Sequence, residues 1–273
     1  MSAHNPTQPV KSADRALGLL EFIASKDEVS FGEVMDALKL PRSSTHGLLQ
    51  TLTNSGWIRH DASTKHFSLG LRAWQVGQRY TGHSDIVKAA KPFMDALALE
   101  TGETVQMSRL DGVTNVYIAI SESSNPMRIV SSVGMSLPAY ATALGKALLS
   151  SLETSVAEDL LQSVTLEQFT ARTIVDIGLL LEALEHTRTS GFAIDDEEFV
   201  AGCRCVAVPL TSERNVGMAT ALSITMPTSR TGSDWPEAIF EPLATAADDI
   251  RRVLGATHPY RRSLDGSEGR VRR

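Results

Sequence analysis

Cysteine is nearly missing from this 273-residue chain: Cys203 and Cys205 are the only two. Two thiols are too few for a disulfide framework, so both are expected to be reduced. Also lacking is any apolar run approaching the ~18 residues of a membrane-spanning helix. The opening stretch MSAHNPTQPVKSADRA has no apolar core of the secretory kind. A cytoplasmic protein with no membrane association is the expectation. No internal repeat or low-complexity tract is visible, and an excess of positive charge is absent too. The formal net charge is −6, which taken alone argues against a nucleic-acid partner.

What is there changes that reading. Residues 1–83 hold nine Lys and Arg against seven Asp and Glu, whereas residues 84–255 hold twelve against twenty-three. A mildly basic head on a strongly acidic body can present phosphate contacts while the body is kept off the polyanion. Hydrophobic residues at 42% and charged residues at 21% describe a globular chain long enough for two domains.

The head reads as three helices and a hairpin. A first helix fits 12–25, with Ser12 as N-cap and Leu17, Leu20 and Ile23 on one face. A second, short one fits 31–38, with Val34, Ala37 and Leu38 inward. Pro41 cannot extend that helix but suits the start of a third, over 42–54, which Ser55-Gly56 ends. Residues 57–60 and 66–69 then read as two strands around a polar turn, the wing. A fourth helix is expected over 71–80, and Thr81-Gly82-His83 as a hinge.

At 100° per residue, Thr45, Leu48, Leu49 and Leu52 share the inner face of the third helix. Ser43, His46, Gly47, Gln50 and Asn54 lie opposite, with Arg42 and Ser44 near the start. Short polar donors at that end suit major-groove reading, and Lys65 and His66 in the wing are placed for the backbone or minor groove. The alternative is a winged helix that binds a protein partner.

Beyond residue 84 the pattern becomes mixed. Helices are expected over 85–101 (around Pro92), 142–150, 153–161, 176–189 and 237–254. Strands are expected over 104–109, 113–119, 127–133, 192–194, 203–210 and 216–225, with Asp111-Gly112 as a hairpin turn. Residues 1–11 and the arginine-rich 256–273 are expected to be disordered. Small residues over 139–147 at a loop-to-helix entry leave room for a cavity. Cys203 and Cys205 share a strand face, as do Ser223 and Thr225. Zinc held by the two cysteines with His186 or Asp195 lacks the paired spacing of a structural site. A cysteine or serine nucleophile lacks a histidine base in a recognisable motif. No cofactor, metal or enzymatic activity is expected.

The stretch from SADRALGLLEFIAS through VSFGEVMDALKLPRSSTHGLLQTLTNSGWIRHDASTKHFSLG resembles the DNA-binding domain of the IclR family of bacterial transcription regulators. LPAYATALGKALL, FTARTI and GFAIDDEEFVAGCRCVAVPL resemble that family's effector-domain signatures. The resemblance covers about residues 12–255. It implies an α+β protein: a winged helix-turn-helix over 12–83, then a GAF-like effector domain over 84–255 with a central antiparallel sheet. It further implies a double-stranded operator as partner, a homodimer that can pair into a tetramer, and a small organic or aromatic acid as effector. Carried over by position, the effector lining is Ile129, Ala143, Leu144, Asp195, Cys203, Cys205, Ser223 and Thr225. Asp195 is the acid of the run 195–198 that points inward. One departure stands out: the family usually has arginine after the recognition-helix histidine, and here that residue is Gly47.

Overall fold

A computed structural model describes residues 10–80, 84–211 and 219–254. The chain divides into two compact units, Met1–Gly82 and His83–Arg273. The expected hinge at 81–83, the tail after residue 255 and most of the N-terminal segment lie outside the described residues.

In the first unit, α1 (Lys11–Ala24), β1 (Glu28–Ser30), α2 (Phe31–Leu38) and α3 (Arg42–Asn54) precede the strands β2 (Ile58–His60) and β3 (His66–Leu69) and the short α4 (Leu71–Gly77). Ser30 and Glu33 form a reciprocal capping box that starts α2. Pro41, in extended geometry, starts α3. Leu19, Ile23, Val29, Val34, Leu49, Leu52, Ile58 and Phe67 make one core. Strand β1 was not expected; its three residues pair with β3, giving a sheet ordered β1-β3-β2.

Four expectations in this unit are corrected. Helix α1 starts at Lys11 behind Val10 with no side-chain cap, so Ser12 is not its N-cap. Its buried face is Leu19 and Ile23, and Leu17 is 61% exposed. Ala37 is exposed because the short α2 buries only Val34 fully. Helix α4 stops at Gly77 and buries no residue of its own.

The second unit is a sheet covered on both faces. Helix α5 (Ser84–Thr101) carries Pro92 within its span. Strands β4 (Thr104–Asp111), β5 (Thr114–Ser121), β6 (Ser136–Pro138), β7 (Ala193–Asp196), β8 (Cys203–Thr211) and β9 (Thr220–Pro227) form one sheet, ordered β6-β5-β4-β9-β8-β7. Every pairing is antiparallel. Gly112 at φ 56° lets β4 turn tightly into β5. Helices α6 (Ala143–Ser150), α7 (Thr154–Gln162), α8 (Ile177–Ser190) and α9 (Glu237–Val253) complete the unit. The strand expected over 127–133 is absent: residues 122–135 are irregular, and the edge strand follows at Ser136. Val130 shows why, since at 82% exposure it has no partner layer to pack on.

The two sheet faces differ in kind. Val105, Met107, Val206, Val208, Leu222 and Ile224 point toward α5 and α9 and fill that side with large aliphatics. The opposite face carries Ala207, Ala221, Cys205, Ser223, Thr225 and Gln106. Small side chains there let α6 come close enough that all eight of its residues are buried. Gly145 makes the approach possible, because a Cβ at that position would overlap the Ala139 backbone. Gly145→Ala is therefore expected to destabilise this unit by about 1–3 kcal/mol, the usual range for overpacking a filled core. Urea unfolding would check it, and an unchanged midpoint would show that α6 can move aside freely.

Candidate DNA-reading face and ligand cavity

On α3 the inner positions Thr45, Leu49 and Leu52 are buried, while Arg42, Ser43, Ser44, His46, Gln50 and Asn54 are exposed. The Arg42 guanidinium lies 5.5 Å from the Phe31 ring centre, which leans this cation on α2. Gln50 donates to Asn54 at 2.8 Å along the helix. In the wing, the Asp61 carboxylate accepts from the Ser63 hydroxyl, the Ser63 amide and the Thr64 amide. Those bonds, Ser63's first, hold its carboxyl down at about 2. The turn they fix lifts Lys65 into left-handed geometry at φ 60°.

His46, Gln50 and Lys65 line one groove of about 480 Å³ between α3 and the wing. Arg42, Ser43, Ser44, Asn54 and His66 are not among its lining residues. His66 sits on β3 opposite Ser30, its ring bonded to the Thr64 carbonyl oxygen. The groove also takes in His60 and Thr53, which sequence reasoning missed. His60 stacks on Phe67 at 4.6 Å, a cross-strand pair whose only sequence signal is its place on β2.

In the second unit, Ile129, Ala143, Leu144, Asp195, Cys203, Cys205, Ser223 and Thr225 all line a single cavity of about 130 Å³. Tyr117, Ser131, Met135, Leu137, Thr142 and Phe199 complete most of its wall. Thr142 caps α6 by accepting from the Gly145 amide at 3.1 Å, and donates its own proton to Asn115. The Ala143 and Leu144 amides, in the first turn, have no partner within the helix.

Asp195 is 3% exposed, and its Oδ1 accepts from the Glu198 and Phe199 amides. Burial pushes its carboxyl up to about 7, against the downward pull of the Glu198 amide and Lys146. Lys146, on the buried α6, pairs with Glu198, which burial also raises. The Cys205 thiol stays protonated, held well above its ordinary range by its hydrogen bond with Cys203 and by burial. Among the described residues, no cluster of three His, Cys, Asp or Glu side chains is placed to hold a metal. No helix among them is long and apolar enough to cross a membrane.

Three packed helices with a hairpin wing, and an exposed polar face on the third helix, define a DNA-binding transcription regulator of the helix-turn-helix class. Residues 12–62 match the IclR helix-turn-helix domain, and residues 78–252 the C-terminal domain of bacterial IclR transcriptional regulators. The chain belongs to the IclR family. It is 35% identical over 252 residues to the transcriptional repressor IclR of Escherichia coli K12, covering 91% of this chain and 92% of that protein. It is 31% identical over 250 residues to the HTH-type transcriptional repressor AllR of Salmonella typhimurium LT2, with the same coverage of 91% and 92%. An IclR homologue from Microbacterium hydrocarbonoxydans, crystallised with 4-hydroxybenzoate, shares the fold. It superposes with a TM-score of 0.74 at 22% identity, over 90% of this chain and 100% of that one.

Asp195 gives the cavity a pH signature. An unfolded aspartate releases its proton near pH 4, whereas the folded one keeps it to about pH 7. The folded state binds more protons across that window, so stability falls as pH rises from about 4 to about 7. Asp195→Asn keeps the acceptor for both amides and removes the charge. It is expected to stabilise the protein by something on the order of 3 kcal/mol at pH 8, with the gain vanishing near pH 4. Urea midpoints of both proteins at the two pH values decide this; an equal difference at each would show that the carboxyl is ionised throughout.

Proposed function

We propose that this chain is a cytoplasmic, ligand-responsive repressor that binds a palindromic operator as a dimer or tetramer and takes a small organic or aromatic acid as effector. The observation that carries the reading is the convergence of eight separated positions, from the 122–135 segment, α6, β7, β8 and β9, on one cavity. An apolar cavity of ~150 Å³ takes up benzene, so about 130 Å³ suits one ring or a short-chain acid. The first-turn amides of α6, which no carbonyl of the helix takes, suit a carboxylate. The relatives named as repressors and the fold neighbour crystallised with 4-hydroxybenzoate support the same reading.

One recognition helix covers about one half-site, so operator binding calls for two copies. Leu71, Trp74 and Val76 on α4 are exposed at 68%, 62% and 52%, which suits a contact between the DNA-binding parts of two chains. The effector would act by favouring one arrangement of the paired recognition helices, and by no more than its differential affinity for the two arrangements.

A gel-shift titration on the DNA flanking its own gene tests the proposal, run with and without small carboxylic acids. A retarded band that an acid shifts is the expected result, and Ser223→Leu, which fills the cavity, should abolish the acid response while keeping the band. No band at any protein concentration would move the winged helix to a protein partner.

Gly47 allows a second test. A Cβ there would meet nothing within 4 Å, so a longer side chain fits. Gly47→Arg should add about 0.5–1 kcal/mol of stability from helix propensity. It should also steepen the salt dependence of operator binding by about one counterion. Unchanged affinity and slope would mean that this position does not face DNA.

A further inference from the structure

The polar floor of the cavity is organised by a residue that does not line it. Strand register sets Asp195 beside Cys205 and Cys205 beside Thr225, and pairs Ser223 with Gln106 on β4. Gln106 is fully buried. Its Oε1 accepts from the Ser223 hydroxyl at 3.1 Å and from the Thr225 hydroxyl at 2.9 Å. The Cys205 sulfur lies 3.1 Å from the Thr225 hydroxyl.

Each hydroxyl has one proton and two lone pairs. With both protons committed to Gln106, Ser223 and Thr225 have only lone pairs left to turn toward the cavity. The Cys205 thiol proton then goes to Thr225, completing a one-way relay: thiol to threonine, threonine to glutamine, serine to glutamine. The cavity's donors lie around Ser223 and Thr225: the Tyr117 hydroxyl lines the wall, and Asp195 beside Cys205 keeps its proton up to about pH 7. Among the described residues Ser131 Oγ, on the 122–135 segment, is buried without a partner. The first two amides of α6 are likewise without helical partners.

We infer that Gln106 is a positioning residue that turns Ser223 and Thr225 into hydrogen-bond acceptors toward the cavity, so that the effector is an acid carrying a donor, a hydroxyl or amino group, at the end that meets them. The inference rests on the cavity being the effector site. It deepens that reading, because shape and volume alone would admit a keto, formyl or plain aromatic acid equally well. A ligand oxygen without a proton would face the Ser223 and Thr225 lone pairs and leave a buried polar contact unmade, at a cost of about 1–3 kcal/mol.

Calorimetric titration of the full chain with 4-aminobenzoate and 4-formylbenzoate tests it. The two acids are similar in size and differ in whether the para group donates or accepts. The wild type should bind the amine at least about tenfold more tightly. In Gln106→Met the two hydroxyls lose their common acceptor and can rotate to donate, so the preference should fall to about threefold or less. Gln106→Glu, which again accepts both protons, should restore it. A rescue of this kind separates positioning from a loss of packing, which both variants would share.

Equal binding of the two acids to the wild type overturns the inference and leaves the cavity reading intact. A preference for the aldehyde overturns it too, and places the Gln106 amide group the other way round, NH₂ toward the hydroxyls. Should the variants not fold, the wild-type ratio alone still decides between these outcomes. Failure of both acids to bind overturns the acid-site reading itself, and this inference with it.

Discussion

The ion pair between Lys146 and Glu198 is the constraint on which the ligand side of the sheet depends. Helix α6 has no exposed face, so its single cation cannot reach water and must be neutralised inside. Glu198 does this from the loop after β7. The same loop is fastened from the other side, where the Thr170 and Thr173 hydroxyls donate to its carbonyl oxygen. Removing one partner of such a pair typically costs about 3–5 kcal/mol, because the other charge is left buried and alone. The pair thus sets where α6 sits along the sheet, and so where Ala143 and Leu144 meet the cavity. It also sets Asp195, since the Glu198 amide is one of the two that its carboxylate accepts.

A second consequence follows from the difference between the two sheet faces. The α5 and α9 side is packed with large aliphatics, each contributing about 1.5–3 kcal/mol on full burial. On the other side the large aliphatics come from the helices instead, with Leu148, Leu149, Leu161, Leu180 and Leu184 packed over the small residues of the sheet. The α6 side can then keep small and polar groups around an empty volume without unfolding the domain. The head is built differently, with one small core beneath α1, α2 and α3. Its outer face on α3 bears no part of that core, so residues such as Gly47 can vary without touching the fold.

Legibility in the sequence followed the strength of local punctuation. Helices α2 and α3 were readable because Pro41 separates the two and Ser55-Gly56 ends the second; the capping box of Ser30 with Glu33, a further local signal, is seen in the structure. Strand β1 was not, since three residues show no alternation, and only pairing with β3 makes them a strand. The 127–133 stretch misled for the opposite reason. Ile129 and Val130 have strand propensity, but β5 offers them no ladder, and Val130 ends in solvent. Leu17 was placed inside on periodicity that no neighbouring element matches. The eight cavity positions came from family resemblance rather than from pattern. A cavity gathers residues from distant strands, and no local period marks it. Gln106 was illegible altogether, because on β4 it looks like any inward polar residue until its two partners from β9 are seen beside it.

Buried polar atoms without partners among the described residues show where the molecule departs from an ordinary core. Gln106 Nε2, Ser108 Oγ, Asn115 Nδ2, Ser131 Oγ and Glu198 Oε2 are such atoms, with Trp235 Nε1 the sixth. Gln106, Ser108 and Asn115 lie on strand positions that face α6, Glu198 pairs with α6 itself, and Ser131 lines the cavity. The aliphatic face is free of unpaired strand side chains among the described residues. A domain selected for stability alone would fill that volume with leucine and valine, as it does on the α9 side. Local rules broken together in one place mark a surface kept for something other than packing. Ser131 alone among these groups lines the cavity, so an effector that meets its hydroxyl recovers part of the desolvation cost the empty domain carries. That recovered free energy, realised only when the cavity is occupied, is what a ligand has available to shift the protein from one arrangement to another.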